Sequence, residues 1–488
     1  MAIKPISYLS FDSLLNAGVS DFLMKDDEVI LCKNVWIYKL GKLEKVPGYT
    51  LAQNNQVVNA KSINYLHYYY QPSTFNSYLL AGSDSGTDYI LKYRTTGNWS
   101  TLGTYTGRAG SEISAVNYLD KTFIIGYDSG TFLNPATVTG TTWTADSGVD
   151  PNLLNMPKGK FIVRFRDLIY VLNAQVGATN YPNRGYYCDE PVAGAIGWTG
   201  VATNFIEFGY DDGDEVTGGI DALDRLIVFK HYSTWKYDES SRVKIADIGC
   251  DSYRSIVKIK DVPYWYGNNG INRWTGDSPE CISAKVQPFL DAMDETKRGE
   301  TIGMVYNNEE YRLFIGTVTV DGITFTNCSI CFNTRTNKLY IRCTYDIIKS
   351  ACQYVEASKR RTYFGNDNGY VMKFGLKIDG VYSDNGNEID SFFITKKLDH
   401  GIAYDLKYTN HVTIFSKYAT KMKVSLQAES QKAFVQGSKP VLTKDIDDID
   451  FSISYKRGQY KFYEKSKDKS WEFEGFIIRT DIKEDLAS

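Results

Sequence analysis

Four cysteines in the second half of the chain are spaced closely enough to consider a metal site. Cys328 and Cys331 have the spacing of half a zinc site, and Cys343 and Cys352 follow. Zinc sites place such a pair in a tight turn, whereas Cys328 begins a run typical of a strand. Residues three apart on a strand point to opposite faces, so the two sulfurs cannot share one metal. We therefore predict reduced, buried thiols without metal.

Two acidic clusters could hold calcium. The denser one runs from Asp211 to Glu215 as Asp-Asp-Gly-Asp-Glu, and a second runs from Asp445 to Asp450. An EF-hand needs ligands at alternate positions and a glutamate at the twelfth, and residues 211–215 lack that spacing. We interpret these residues as a solvated loop and keep a calcium site as the open alternative.

The four histidines, His67, His231, His400 and His411, do not lie beside a serine or cysteine in a nucleophile motif. Zinc-protease, phosphate-loop and dinucleotide-binding motifs do not occur either. Paired carboxylates of the glycosidase kind stay open, because distant segments can bring them together. The sequence therefore predicts no enzyme activity, no cofactor, and no catalytic, cofactor-binding or metal-binding residue.

The composition favours short strands and turns over helices. The 488 residues include 37 tyrosines and 40 glycines but only 12 prolines. The net charge of -3 argues against a protein that grips nucleic acid through its phosphates. The first residues lack the apolar core of a secretory signal, and no run is long enough to span a bilayer. We expect a soluble chain made in the cytoplasm.

A repeated turn and strand organise the middle of the chain. Asp224 leads to Lys230 through Arg-Leu-Ile-Val-Phe, and the same arrangement of a turn residue and an apolar run recurs about every 37 to 57 residues. The other copies begin at Asn76, Asp120, Asp167, Asp261, Glu310 and Lys359. This spacing is typical of four-stranded propeller blades. The recurring aspartates are poor catalytic candidates, because we expect each to cap its own turn.

These patterns predict an all-β protein in three parts. Residues 61–377 form a β-propeller of six or seven blades, and residues 378–488 form a C-terminal domain resembling a β-sandwich. Residues 1–60 form an N-terminal arm with a hairpin that turns near Gly41 and ends at a Pro47-Gly48 turn. The blade number stays open because the N-terminal hairpin can complete either the first or the last copy.

Three stretches together resemble the tail nozzle or hub proteins of short-tailed bacteriophages, of the tail tubular protein B and packaged-DNA stabilisation types. The first comprises Asn34-Val35, Gly41-Lys-Leu43 and Lys45-Val-Pro-Gly-Tyr49, with Val46 where the family commonly has arginine. The second comprises the acidic loop Asp211–Glu215, Gly219-Ile220, Leu223 to Lys230, Ser233-Thr-Trp235, Gly249 to Val257 and Tyr264 to Ile271. The third comprises Phe393 to Gly401 and Lys407.

The resemblance implies a structural virion protein of the phage tail. Such a protein forms a homohexameric ring that extends the portal and adaptor channel, contacts tail fibre or needle proteins, and is assembled in the host cytoplasm. It retains packaged double-stranded DNA and lets it pass at ejection without reading its sequence. No enzyme activity, cofactor or membrane span is implied, and the mild negative charge suits a channel that does not trap DNA.

A carbohydrate-binding or carbohydrate-cleaving propeller is the alternative. Such a protein would use exposed aromatic side chains, for which Trp265 and Trp274 are candidates, together with carboxylates at one mouth of the ring.

Overall fold

The chain is almost entirely β-sheet in a computed structural model, which describes residues 3–192, 195–210, 212–356, 358–401, 405–419, 421–467 and 470–483. Its described helices are all short: the α-helix Gln287–Asp291 and the 3-10 helices Tyr253–Ser255, Ala284–Val286, Glu295–Glu300 and Lys377–Asp379. No helix within these described ranges has the length and apolar character needed to cross a membrane.

Six blades of a propeller are separate antiparallel sheets made from consecutive strands. Blade 1 comprises Ile63–Gln71, Asn76–Asp84, Tyr89–Arg94 and Ser100–Tyr105. Blade 2 comprises Glu112–Tyr118, Lys121–Asp128, Thr131–Phe132, Ala136–Thr139 and Thr142–Ala145. Blade 3 comprises Lys158–Phe165, Leu168–Val176, Thr179–Tyr187 and Phe205–Glu207. Blade 4 comprises Val216–Ala222, Arg225–Lys230, Thr234–Tyr237 and Arg242–Ala246. Blade 5 comprises Val257–Ile259, Val262–Gly267, Gly270–Trp274 and Pro279–Cys281. Blade 6 comprises Ile302–Tyr306, Glu310–Val320, Ile323–Asn333 and Lys338–Cys343. The predicted propeller is confirmed.

The repeated apolar run is the second strand of each blade. In blade 4 this strand is Arg225–Lys230, and every residue from Leu226 to Lys230 is buried. Such a strand is covered on both faces by the neighbouring blades, which explains a continuous apolar run instead of an alternating one. The first strands of successive blades lie side by side around the central channel.

A seventh group of four strands completes the ring and is not contiguous in sequence. Ile348–Glu356, Lys359–Asn366 and Val371–Phe374 are followed by the N-terminal strand Tyr49–Leu51, which pairs antiparallel to Val371–Phe374. The N-terminal segment thus completes the last of the predicted copies. The first strand of this group contacts the first strand of blade 1, which closes the ring.

The turns between the first and second strands correct one expectation. The Asp120 carboxylate accepts a hydrogen bond from the Ser73 backbone N–H at 2.8 Å, and the Asp261 carboxylate accepts one from the Leu223 N–H at 3.0 Å. Ser73 and Leu223 lie in the corresponding turns of the preceding blades. Asp120 and Asp261 therefore join neighbouring blades and do not simply cap their own turns.

The remaining strands form a β-sandwich of two sheets. The first sheet contains Val35–Trp36, Leu43–Lys45, Glu472–Lys483, Leu406–Lys417 and Ile446–Tyr455, with Ile3–Leu9 paired to Glu472–Lys483. The second contains Leu14–Leu15, Glu28–Lys33, Asn387–Thr395, Gly458–Ser466, Lys423–Ala428 and Val435–Gln436. Aromatic side chains fill the space between the sheets: Phe393 of the second lies 4.8 Å from Phe473 of the first, measured between ring centroids.

The N-terminal segment belongs to both halves of the molecule. The predicted hairpin is present, since Val35–Trp36 pairs with Leu43–Lys45. However, Ile3–Leu9 and Glu28–Lys33 pair with C-terminal strands, one in each sheet. The predicted boundaries at 60 and 377 stay predictions, whereas the strand pairing shows that residues 1–60 share their sheets with residues 378–488.

The expected turn at Pro47-Gly48 is instead a close crossing of two backbones. Gly48 donates its N–H to Val381 O at 2.9 Å and accepts from the Gly375 N–H at 2.9 Å. A Cβ atom on Gly48 would lie 2.0 Å from Ser383 O. Glycine is needed here because a side chain has no space, and the chain then continues directly into the strand Tyr49–Leu51.

A buried ion pair fastens blade 6 to the sandwich. Arg342 donates to the Asp384 carboxylate and, at 3.0 Å, to Asn34 Oδ1. The side chains of Arg342 and Asp384 are only 1% and 4% exposed. Asn34 Oδ1 also accepts from the Cys343 N–H at 2.8 Å. One guanidinium thus joins the propeller, the N-terminal segment and the segment that leaves the propeller.

Replacing Gly48 should destabilise the protein. Gly48→Ala forces a methyl group against backbone atoms that cannot move aside, so we expect urea denaturation to show a loss of about 1–3 kcal/mol in the free energy of unfolding. Gly299→Ala is the control, because the nearest atom to its new Cβ lies 3.7 Å away. Equal effects of the two substitutions would contradict the crossing described above.

Removing the buried guanidinium should cost more than removing an exposed one. Arg342→Met leaves the Asp384 carboxylate buried and unpaired, and we expect a loss of about 3–5 kcal/mol. Arg164→Met is the control, because Arg164 and Asp167 are 46% and 86% exposed, and it should cost no more than about 1 kcal/mol. Denaturation curves for both variants check this, and a small effect of Arg342→Met would refute the fastening role.

Candidate functional site

The acidic loop before blade 4 uses its carboxylates to hold neighbouring segments. Asp211 lies outside the described residues. Asp212 accepts from Lys230 Nζ at 2.6 and 2.5 Å, and Lys230, which is completely buried, also donates to Phe208 O at 3.0 Å. The conspicuous Lys230 at the end of the repeated strand therefore has a structural partner in this loop.

The other two carboxylates of the loop are engaged in the same way. Asp214 accepts from the His231 backbone N–H at 2.9 Å. Glu215 accepts from Lys160 Nζ at 3.0 Å and from Asn173 Nδ2 at 2.9 Å, and it lies 3.7 Å from His231 Nε2. These contacts support a structured loop. Asp212, Asp214 and Glu215, the described carboxylates of this loop, each already have a partner, so the calcium alternative has no unpartnered carboxylate among them.

The proximity of Glu215 and His231 lowers the pKa of Glu215 and raises that of His231, so both charged forms are favoured. The nearby His231 imidazole, together with hydrogen bonds from Asn173 and Lys160, outweighs burial and lowers the pKa of Glu215 to about 2. The carboxylate of Glu215 in turn raises the pKa of His231 above its ordinary value of 6.5. His231 is thus the histidine of this loop whose charge is tied to a specific partner.

Six of the eight cysteines are buried, whereas Cys352 is half-buried and Cys281 is exposed. Cys328 is paired across two strands with Cys343, whereas Cys331 is opposite Tyr340. Burial raises the pKa of the Cys328 and Cys331 thiols. All eight cysteines are free, and among the described residues no group of three or more His, Cys, Asp or Glu side chains is placed to hold a metal ion.

The other histidines join strands. His67 Nε2 lies 2.8 Å from Asn117 Oδ1, which links the first strands of blades 1 and 2. His400 lies between two tyrosines, with Nδ1 2.8 Å from Tyr8 Oη and Nε2 2.9 Å from Tyr455 Oη. Burial lowers the pKa of His400 to about 4.

The second acidic run lies on an outer strand of the sandwich. His411 on the neighbouring strand Leu406–Lys417 lies 3.1 Å from Asp448 and 2.9 Å from Asp450. Asp447 points the opposite way and accepts from the Thr443 backbone N–H at 2.6 Å. The alternation of the strand therefore separates these carboxylates onto two faces.

The aromatic side chains expected to form a sugar platform are not at the surface. Trp265 and Trp274 are 0% and 2% exposed. Their indole N–H groups donate to Gly249 O at 3.0 Å and Asp277 O at 3.1 Å. The expectation that they are exposed is wrong, because in a propeller these positions pack between blades.

One mouth of the propeller channel combines a cavity with polar groups that lack hydrogen-bond partners. A cavity of about 230 Å³ lies where the first strands of several blades begin. Its lining includes Asn64, Tyr65, Ser114, Tyr253, Arg254 and Ser350. These residues come from blades 1 and 2, from the seventh group of strands and from the segment before blade 5, so only closure of the ring brings them together.

Two donor groups of residues that line this cavity have no partner among the described residues. Tyr65 Oη and Arg254 Nε are buried, and no hydrogen-bond acceptor within the described part of the chain reaches either atom. Arg254 Nη2 lies 3.9 Å from Glu112 Oε1, a loose contact with a carboxylate whose side chain is 55% exposed. Sequence reasoning missed this site, since Tyr65 is one of several tyrosines in its strand and Arg254 lies in a link between blades.

Comparison with known proteins does not identify a family. No family model matches the chain, and no curated protein matches it. Three solved structures show a distant likeness. The extracellular domain of a hybrid two-component system from B. thetaiotaomicron is 9% identical, with 83% of this chain and 48% of that chain covered and a TM-score of 0.42.

The AfRom2 CNH domain is 9% identical, with 67% of this chain and 99% of that chain covered and a TM-score of 0.37. Trypanosoma rangeli sialidase is 8% identical, with 88% of this chain and 94% of that chain covered and a TM-score of 0.33. The chain covers less than half of the first of these three proteins. At such scores the likeness carries no functional argument.

The pairing of His231 with Glu215 predicts a specific pH dependence. In NMR titrations the His231 imidazole should titrate above pH 6.5, and Glu215→Gln should bring it back towards that value. His400 is the internal reference and should titrate near pH 4 in both proteins. A His231 titration that does not respond to Glu215→Gln would contradict the pairing.

The sign of the stability effect follows from the two shifts. A lowered pKa at Glu215 stabilises the fold above its unfolded value of about 4.5, and this contribution is lost as the pH falls towards 2. A raised pKa at His231 stabilises the fold at low pH, and this contribution is lost as the pH rises through the raised value. The two contributions coexist at mildly acidic pH, where the difference in unfolding free energy between wild type and His231→Gln should be largest.

Proposed function

We propose that this protein is a structural component of a bacteriophage tail, a nozzle or hub subunit that forms a ring around the path of the DNA. One observation carries the proposal: each of the three stretches that make up the phage-tail resemblance contains residues that hold neighbouring segments of the fold together.

The first stretch of the resemblance supplies contacts at the junction. Asn34 accepts from Arg342, as described above. Lys45 is completely buried and donates from Nζ to Ser466 O at 2.7 Å. Tyr49 is also completely buried, and its hydroxyl donates to the Asp346 carboxylate at 2.7 Å. Each of these polar contacts connects the N-terminal segment to a strand more than 250 residues away.

The second and third stretches have comparable roles. In the second, Gly249 allows a close backbone approach, because a Cβ there would lie 2.0 Å from His231 O. In the third, His400 connects Tyr8 of the N-terminal strand with Tyr455 of the sandwich. The residues of such a motif hold one architecture together. Motifs of this kind are what we expect related structural proteins to share.

A continuous hydrophobic core gives the molecule the character of one stiff body. A single cluster of buried side chains extends from the sandwich into blades 5 and 6 and the seventh group of strands. A tail component through which DNA leaves under pressure needs to keep its shape, and close packing of this kind resists deformation. The net charge of -3 supports passage of DNA without strong binding to phosphates.

Carbohydrate binding is the second candidate function. The tryptophans expected to carry it are buried, so a sugar would have to bind elsewhere. The polar mouth of the channel supports this candidate, because it combines a cavity with hydrogen-bond donors that lack partners.

Ring formation tests the tail role. The purified protein, alone or mixed with its adaptor ring, should give six-fold rings in negative-stain electron microscopy. Head-to-tail rings need a contact surface on each subunit, and we assign one side of it to the exposed apolar loop with Phe22 and Leu23, which are 79% and 77% exposed.

Serine substitutions sharpen this experiment. Phe22→Ser combined with Leu23→Ser should reduce ring formation and leave the circular dichroism spectrum unchanged. Phe75→Ser is the matched control, because Phe75 is 81% exposed but lies on a turn of blade 1. A species that stays monomeric at all concentrations and does not join tail complexes would refute the proposed function.

A further inference from the structure

We propose that the mouth of the propeller channel is a binding site for a small organic carboxylate, held by Arg254 and Tyr65. This site is independent of the proposed tail role, because it lies within the channel of one propeller and not in the ring formed by several subunits.

The cationic group of the site is a guanidinium that the protein leaves largely unpaired. Arg254 Nε lacks an acceptor among the described residues, and the Glu112 carboxylate approaches Nη2 only to 3.9 Å. A guanidinium presents its N–H groups as a planar fork, which matches the two oxygens of a carboxylate. The charge and shape of Arg254 therefore favour a planar anion over a neutral carbonyl compound.

Tyr65 supplies a second donor that stays protonated. Burial raises the pKa of Tyr65 well above its ordinary value, so its hydroxyl keeps its proton at neutral pH. The hydroxyl has no acceptor in the described chain. The neighbouring Asn64 side-chain oxygen Oδ1 accepts from Tyr89 Oη at 2.8 Å and not from Tyr65. A carboxylate in the cavity would provide the missing acceptor.

The walls of the cavity indicate that the anion is organic. Ile113, Ile256 and Ile302 line it beside the polar groups. Tyr253 adds an aromatic wall, and its ring lies 5.1 Å from that of Phe161 of blade 3. A cavity of about 230 Å³ with such walls has space for a compact carbon skeleton attached to the carboxylate.

The segment that carries Arg254 is held rigidly, as a binding site requires. Ser252 Oγ donates to Thr301 O at 2.8 Å, and Ser255 Oγ donates to Ser252 O at 2.6 Å. A Cβ on Gly303 would lie 2.3 Å from Ser255 O, so blade 6 and this segment are in close backbone contact. The backbone that carries Arg254 is therefore fixed before a ligand arrives, which lowers the entropic cost of binding.

Isothermal titration calorimetry of the full chain with matched ligand pairs tests the proposal. The probes are benzoate with benzamide, D-glucuronate with D-glucose, and sodium sulfate. We expect at least one carboxylate to bind at least tenfold more tightly than its neutral partner and more tightly than sulfate. If neither carboxylate is preferred to its partner, the proposal is overturned; if sulfate binds as tightly as the carboxylates, the organic part of it is overturned.

Three variants locate the binding. Arg254→Gln should weaken carboxylate binding at least tenfold, and Tyr65→Phe should weaken it several-fold. The thermal unfolding midpoint of Tyr65→Phe should not fall, because the hydroxyl has no partner in the unliganded protein. Arg242→Gln, at an exposed position on the outer strand of blade 4, should bind as wild type does. Wild-type affinity in both Arg254→Gln and Tyr65→Phe would overturn the assignment of the site.

Discussion

The pairing of Tyr49–Leu51 with Val371–Phe374 is the contact on which the rest of the architecture depends. A propeller made from one chain has to close its ring by a contact between distant parts of the sequence, since otherwise two blade edges stay open. Here the closing strand is the outermost of the seventh group. On its other side, Tyr49 is in register with Asp384 in a short parallel bridge, and the sheet then continues into the sandwich. Ring closure and attachment of the sandwich are therefore one structural event.

The sequence allowed the β-propeller, its repeat and the C-terminal strands to be predicted, because these depend on local patterns. An apolar run bounded by turn residues specifies a central strand wherever it occurs. The reason for the recurring aspartates could not be found in this way. Asp120 and Asp261 accept hydrogen bonds from backbone groups of the preceding blade, about 40 to 50 residues earlier. In the sequence, an aspartate with this role looks the same as one that caps its own turn. The division of the N-terminal segment between two sheets was likewise beyond a local pattern.

The candidate site shows the same limit for function. Acidic loops and cysteine pairs attract notice in a sequence because their members are close neighbours in the chain. In the structure Asp212 and Glu215 hold Lys230 and Lys160, and Cys328 and Cys331 are buried. The groups with unspent hydrogen-bonding capacity, on Tyr65 and Arg254, are almost 190 residues apart and meet only at the channel. A propeller brings first strands to a common axis, so its most chemically interesting position is the one with the weakest sequence signal.

We infer that the N-terminal strand Tyr49–Leu51, the seventh group of strands and the sandwich form one cooperative unit. Hydrogen–deuterium exchange of the full chain at increasing urea concentrations, followed by mass spectrometry, tests this most directly. Peptides that contain residues 49–51, 371–374 and 389–394 should lose protection together at one urea concentration. Rapid exchange of residues 49–51 at concentrations where residues 371–374 and 389–394 stay protected would contradict the claim.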